Sequence, residues 1–291
     1  MSYADSQGVK LYVEETGTGY PIVFVHEFAA DHREWETQVR YFSRNYRCIT
    51  YAARGYTPSD VPEEEAAYNY THFADDIATV MRHVGAPKAH VVGLSQGAYA
   101  TLMFGLRHPQ LASALVAAGC GSGSAREQRE DFVKQCEVNS HRFLQEGAPT
   151  LAQELGVSAS RVQLLNKDPR GWQEFVDHLG QHSAQGSSLT MRNYQGKRPS
   201  LYDFAQEFAA LTIPTLIMVG DEDDACLEPS VFLKRTIATA GLFVQPRTGH
   251  AINLEEPGVF NREVQEFLST VERGRWGRRD PRAALSVQPQ R

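Results

Sequence analysis

Apolar and polar positions along the chain change period several times, and each change marks an element. Val9-Lys10-Leu11-Tyr12-Val13 alternates with the two-residue period of a half-buried strand. Pro21 to Val25 is instead a continuous apolar run preceded by the turn Gly17-Thr18-Gly19, which suits a strand buried on both faces. Residues 46–51, 89–92, 111–118, 215–219 and 241–244 predict further short strands. Helical spacing lies between them. Trp35, Val39 and Phe42 recur at it, and Ile77, Val80, Met81 and Val84 follow it closely, with Gly85 as a C-cap and Pro87 as a stop. Residues 96–107 predict another helix, and Phe260, Val264, Phe267, Leu268 and Val271 a last one.

Strands alternating with helices imply an α/β class, with a mostly parallel central sheet flanked by helices. From about Gly121 to Phe208 the rhythm breaks. This stretch is polar and helix-like, carries Leu144, Leu151, Leu155, Leu164, Leu165, Phe175 and Leu179, and contains no convincing strand. It predicts a helical cap inserted over the C-terminal edge of the sheet. The expected division is a core of residues 1–120 and 209–272, a cap of 121–208 and a basic tail of 273–291. The tail's RGRWGRRDPR, at 273 to 282, has no apolar period and is expected to be solvated or only partly ordered.

Composition narrows the class. The 291 residues are 42% hydrophobic and 22% charged, enough for one large core. A net charge of −6 argues against nucleic acid as a partner, since phosphate binding needs a concentrated basic surface. MSYADSQGVK has no basic and then apolar leader, and no apolar run approaches the ~20 residues that span a bilayer. The expectation is a cytoplasmic protein with no membrane partner and a small-molecule substrate. Cys48, Cys120, Cys136 and Cys226 are scattered and expected as thiols. A homodimer is expected only on the general frequency of two-fold dimers.

Residues 91–100 read VVGLSQGAYA, with Ser95 between Gly93 and Gly97. A strand running directly into a helix puts the apex residue in a strained backbone conformation, often with positive φ. Glycines on either side remove side chains that would collide, and the apex hydroxyl stands clear. A nucleophilic serine also needs a base, a group to orient that base, and donors for the oxyanion. Gly-Asp-Glu-Asp-Asp at 220 to 224 and Thr248-Gly249-His250 each follow a strand, at the edge where open α/β sheets bind ligands.

VFVHEF (23 to 28), RGYTPSD (54 to 60), GLSQG (93 to 97), GDEDDACLEP (220 to 229) and GHAINLEEP (249 to 257) together resemble, in order, the serine hydrolases of the α/β-hydrolase fold that carry a helical cap. The resemblance implies Ser95 as nucleophile, His250 as base and Asp223 as the orienting acid, with Asp221 and Asp224 as rivals for that role. It implies an oxyanion hole made by the backbone N–H groups of Phe28 and Gln96, and neither cofactor nor metal. Two positions depart from the family pattern: Glu27 stands where a glycine is usual, and Ala52 where an aspartate is usual. A carboxylate beside an oxyanion hole opposes the developing charge, so the Glu27 side chain is expected to turn away, toward Arg54.

The leading function is hydrolysis of a small carboxylic ester or lactone through an acyl-enzyme. The same triad serves C–C bond hydrolysis of a diketone-type acid. A protein that binds its ligand and turns it over slowly or not at all is a third reading, from a different class. An aspartate nucleophile would have implied dehalogenase or epoxide chemistry, but Ser95 stands there. A basic cap residue in the pocket, such as Arg192, would point to an acidic substrate. Gly119-Cys120-Gly121-Ser122-Gly123 lacks the lysine of a phosphate loop and is expected as a hinge into the cap. His178 and His182 are four apart, as metal ligands on a helix can be. Gly180 lies between them and no glutamate follows the first, so a polar cap face is expected. Trp172, Phe175 and Tyr194 either line the pocket or pack the cap.

Overall fold

A computed structural model describes residues 1–283. Eight strands form one sheet in the order β1-β2-β4-β3-β5-β6-β7-β8. They are β1 (Ser2–Ser6), β2 (Val9–Thr16), β3 (Tyr20–Val25), β4 (Tyr46–Tyr51), β5 (Ala89–Leu94), β6 (Ala112–Ala118), β7 (Thr215–Gly220) and β8 (Ala240–Gln245). β1 and β2 form an antiparallel hairpin, and β2 joins β4 antiparallel. Every other pairing is parallel. β1 was not legible as a strand, because SYADS is a short polar edge segment. Its turn, Gln7-Gly8, has positive φ at both residues, as tight hairpins require.

Helices cover both faces. α1 (Glu36–Phe42) and α12 (Pro257–Glu272) pack on one side, where Trp35, Phe42, Phe260, Val264 and Phe267 meet Phe24, Val92, Val116 and Met218. α2 (Tyr70–His83), α3 (Gln96–Arg107) and α10 (Asp224–Thr236) cover the other. With both faces buried, β5 and β7 carry no exposed residue at all, which explains their continuous apolar runs.

Between β6 and β7 the chain forms helices and, among the described residues, no strand. These are α4 (Arg129–Glu146), α5 (Ala148–Gly156), α6 (Val162–Lys167), α7 (Pro169–Leu179), α8 (Ala184–Leu189) with a π-helical turn at Thr190–Gln195, and α9 (Ala205–Ala210). A last short helix, α11 (Ile252–Glu255), precedes α12.

The basic tail begins differently from its expectation. Trp276 is half-buried against Phe267, its indole N–H donates to Thr239 O at 2.8 Å, and Arg279 N donates to Ala238 O at 2.8 Å. One aromatic inside a polar run therefore ties the start of the tail to the sheet edge. Residues 284–291 of the tail lie outside the described residues.

The strand order places a functional edge. The chain leaves β3 toward β4 on one side, while β5 runs on to β6, β7 and β8 on the other. The carboxyl ends of β3 and β5 therefore flank a topological switch point, where a crevice opens. Glu27 and Phe28 follow β3, and Ser95 follows β5.

Candidate active site

Ser95 sits at φ +53° and ψ −112°, between β5 and the first residue of α3. A non-glycine residue there is strained, and its surroundings show what enforces it. A Cβ on Gly93 would strike the Gly97 carbonyl, and one on Gly97 would strike the Val25 and His26 carbonyls. Strand, helix and the end of β3 thus close to backbone contact around one half-buried serine. Ser95 N donates to Ala118 O at 2.8 Å, which ties the turn to β6.

His250 and Asp223 come together from the loops after β8 and β7. A Cβ on Gly220 would strike the Thr248 and Gly249 carbonyls, so these loops touch through backbone as well. His250 Nδ1 donates to Asp223 Oδ2 at 2.7 Å, and both side chains are buried. Burial alone would raise the Asp223 pKa. The charge and hydrogen bond of His250 and the charge of Arg161 outweigh it and hold the carboxyl below its ordinary value. An ionised Asp223 fixes the proton on Nδ1, which leaves the Nε2 lone pair free. The two rivals have other roles. Asp221 is exposed and accepts from Thr248 N at 3.3 Å, and Asp224 is exposed in the first turn of α10.

Ser95 and His250 line one cavity of about 330 Å³, together with Asp223, Phe28 and residues of the helical segment. They form no hydrogen bond with each other in this geometry.

Asp223, Cys226 and His250 also bring three buried candidate ligand atoms within 4.8 Å of one another. A metal does not suit this set. Asp223 and His250 are engaged with each other. Burial, with the Asp223 charge, pushes the Cys226 thiol well above its ordinary value, so it stays protonated and donates to Gly119 O at 3.3 Å.

The segment after β3 carries two backbone amides of interest. Ala53 N donates to His26 Nε2 at 3.0 Å, so His26 Nδ1 bears the proton and donates to Glu27 O at 2.7 Å. In a trans peptide the N–H points opposite the carbonyl, so this bond turns the Phe28 N–H away from His26. Among the described residues neither Phe28 N nor Gln96 N donates to a protein acceptor.

Glu27 corrects an expectation. It does not reach Arg54, which pairs instead with Asp76 at 2.6 Å in a buried ion pair. Glu27 lines the cavity, 1% exposed, and is ion-paired with Arg161 from the turn before α6. Its Oε2 lies 4.0 Å from His250 Nε2. The charge is compensated rather than turned away, by a partner some 134 positions distant that no local pattern announces. Behind it, Glu34 Oε2 accepts from Glu27 N at 3.1 Å. Burial and then the Glu27 charge push the Glu34 carboxyl well above its ordinary value.

Arg192 is the second correction. It lies away from the cavity and pairs with Glu137 at 3.0 Å and Glu65 at 3.5 Å. The cavity's arginines are Arg161 and Arg198, neither of which spacing could single out. His182 is the third. It is buried, not on a polar face, with Nε2 3.9 Å from Asp31 and its ring edge-on to Tyr56, while His178 is half-buried. Of the aromatics, Trp172 donates to Gly156 O at 2.7 Å, Phe175 lies under the Arg161 guanidinium, and Tyr194 donates to Gln96 O at 2.9 Å. All three pack, and Phe132 is the aromatic of the helical segment that lines the cavity, facing it together with Phe28.

The alpha/beta hydrolase family model matches residues 22–263. The AB hydrolase superfamily protein YisY of Bacillus subtilis is 28% identical over 279 residues, covering 90% of this chain and 96% of that protein. The 3-oxoadipate enol-lactonase 1 of Acinetobacter baylyi is 24% identical over 273 residues, covering 91% and 96%. Among solved structures, a thermophilic esterase from Thermogutta terrifontis superposes with a TM-score of 0.80 at 24% identity, over 93% of this chain and 97% of that one. At that identity the superposition speaks for the fold alone.

Proposed function

The chain belongs to the alpha/beta hydrolase family, and from that premise we propose that it is a serine hydrolase cleaving a small carboxylic ester or lactone through an acyl-enzyme. One observation carries the reading. The His250–Asp223 pair opens on the same cavity as a serine held at positive φ.

Ser95 Oγ attacks the carbonyl while His250 Nε2 takes its proton. Asp223 steadies the imidazolium, and the Phe28 and Gln96 amides hold the oxyanion. His250 then gives the proton to the leaving oxygen, and water activated by the same nitrogen releases the acid. A serine at this position disfavours the carboxylate attack that opens epoxides. The enol-lactonase among the relatives lends support to the ester and lactone class. The helical segment acts as the cap, since it supplies one wall of the cavity. We place the protein in the cytoplasm, on its four buried free thiols. No helix among the described residues is long and apolar enough to cross a membrane.

The test is labelling with a fluorophosphonate, read by intact mass, followed by an ester and lactone panel. Rapid addition of one label, lost in Ser95→Ala together with hydrolysis, is the expected result. A folded protein that neither labels nor turns over any panel member would sink the reading.

A further inference from the structure

Four charged side chains other than His250 line the cavity: Glu27, Arg161, Asp223 and Arg198. Three of them are matched. Glu27 and Arg161 neutralise each other, and Asp223 is engaged with His250. Arg198 is not. It is 5% exposed, and among the described residues it forms no ion pair with any carboxylate. Its Nη2 donates to Ser122 O at 2.9 Å, and its guanidinium lies 4.8 Å over the Tyr99 ring. Its Nη1 is buried and has no hydrogen-bond partner.

An arginine in this state is unusual. Buried charges are ordinarily paired, because taking an ion out of water is expensive unless a counter-charge restores the loss. The surroundings deepen the imbalance. Arg129, which donates to the Gly123 and Arg198 carbonyls, adds a second positive charge nearby, and its own pKa is lowered by burial and by Arg198. The aromatic faces of Tyr99, Tyr194 and Phe132 stabilise a cation only modestly. Gln195 lines the same cavity, its Nε2 held by Gln96 Oε1 at 3.3 Å while its Oε1 is left without a partner. The helical wall of the cavity thus carries one unspent cation with an unused donor, beside an unused acceptor.

We propose that Arg198 is the anchor for a carboxylate carried by the substrate, so that the ester or lactone cleaved is that of a small acid bearing a second, free carboxylate. The assignment deepens the serine-hydrolase reading and rests on it for the word substrate. The subsite itself is a statement about binding. Arg161 also has a buried Nη1 without a partner, but its charge is already matched by Glu27, which leaves Arg198 as the cation without a counter-charge. That resident pair also repels a second anion from the Glu27 end, which directs an acidic ligand toward Arg198.

The experiment separates binding from turnover. In the Ser95→Ala protein, the monomethyl esters of succinate, glutarate and adipate are titrated by calorimetry against their neutral amide isosteres. Charge-assisted hydrogen bonds contribute about 1.5–3 kcal/mol, so the best acid should bind tenfold to a hundredfold tighter than its amide. Adding Arg198→Gln should erase that preference, and adding Arg198→Lys should keep part of it. Equal binding of acid and amide in the Ser95→Ala protein overturns the proposal, as does a preference that survives Arg198→Gln. Should Arg198→Gln not fold, Arg198→Lys decides: it must weaken the acid more than the amide, and an equal effect on both overturns the subsite. Turnover of the same esters by the unmodified protein reports separately on the hydrolase reading. Acid-selective binding without hydrolysis by any Ser95-dependent route keeps the subsite and removes the hydrolase.

Discussion

The two walls of the cavity are built by different physics. On the sheet side, Ser95, Asp223 and His250 stand on short loops wedged by backbone. The Gly93–Gly97 and Gly220–Thr248 approaches leave no room for a Cβ, and Gly119 lies against the His250 ring. On the helical side, Arg161 precedes α6, Gln195 ends the π-helical turn, and Arg198 lies in the loop beyond it. These groups are fixed by charge and by single hydrogen bonds. A site whose chemistry is held by main-chain contact and whose recognition is held by side-chain electrostatics can change ligand without disturbing the reaction. The walls meet through polar and apolar contacts alike: Glu27 with Arg161, Asp31 with His182, Arg33 with Gln181 at 2.9 Å, Tyr194 with Gln96 O at 2.9 Å, and the Phe28 ring edge-on to Phe143.

The Glu27–Arg161 pair is where the contrast can be broken most severely. Arg161→Met leaves Glu27 buried, uncompensated and 4.0 Å from His250 Nε2. Removing one partner of a buried pair costs about 3–5 kcal/mol. Arg161→Met should therefore lose that much stability in urea denaturation, and Glu27→Gln in the same background should restore most of it. If the double variant is no more stable than Arg161→Met alone, the pair does not join the walls.

How much of this was visible beforehand follows the same division. Ser95, His250 and the strands before them could be read from the chain, because a strand running into a wedged turn demands local glycines and apolar runs. The family resemblance preferred Asp223 over Asp221 and Asp224, and of the three the structure puts Asp223 on His250. The partner of Glu27 could not be read. Ion pairing depends on which residues the fold brings together, and Arg54, nearer in sequence, was already committed to Asp76. Arg161 and Arg198 look like any polar helix-surface arginine until the cavity closes over them. Trp276 shows the reverse error, in which a basic run hid one packed aromatic.

A smaller effect tests the seam at Asp31. Burial pushes the His182 pKa down to about 3, while the Asp31 charge pulls upward and those of His26, Arg33 and His178 add to the lowering. The folded state therefore binds fewer protons than the unfolded chain, whose histidine titrates near 6.5. The stability is fully present above pH 6.5 and is lost as pH falls toward 3. By pH 4 the stability lost through His182 should reach on the order of 3 kcal/mol. In His182→Gln, the drop in urea midpoint between pH 7 and pH 4 should shrink accordingly. Parallel pH profiles for the two proteins would show that His182 is hydrated or paired in solution.

The smallest expected effect is the most discriminating, because it concerns an arginine of the same segment that differs from Arg198 only in where it points. Arg192 is paired with Glu137 and Glu65 at the surface, where such bridges contribute about 0–1 kcal/mol. Arg192→Ala should therefore leave kcat/KM on acidic and neutral esters alike within about twofold, and stability within about 1 kcal/mol. A selective loss on the acidic ester would mean that Arg192 reaches the ligand when the cavity is occupied. The acid preference would then belong to a mobile surface cation, and the buried charge of Arg198 would need another purpose.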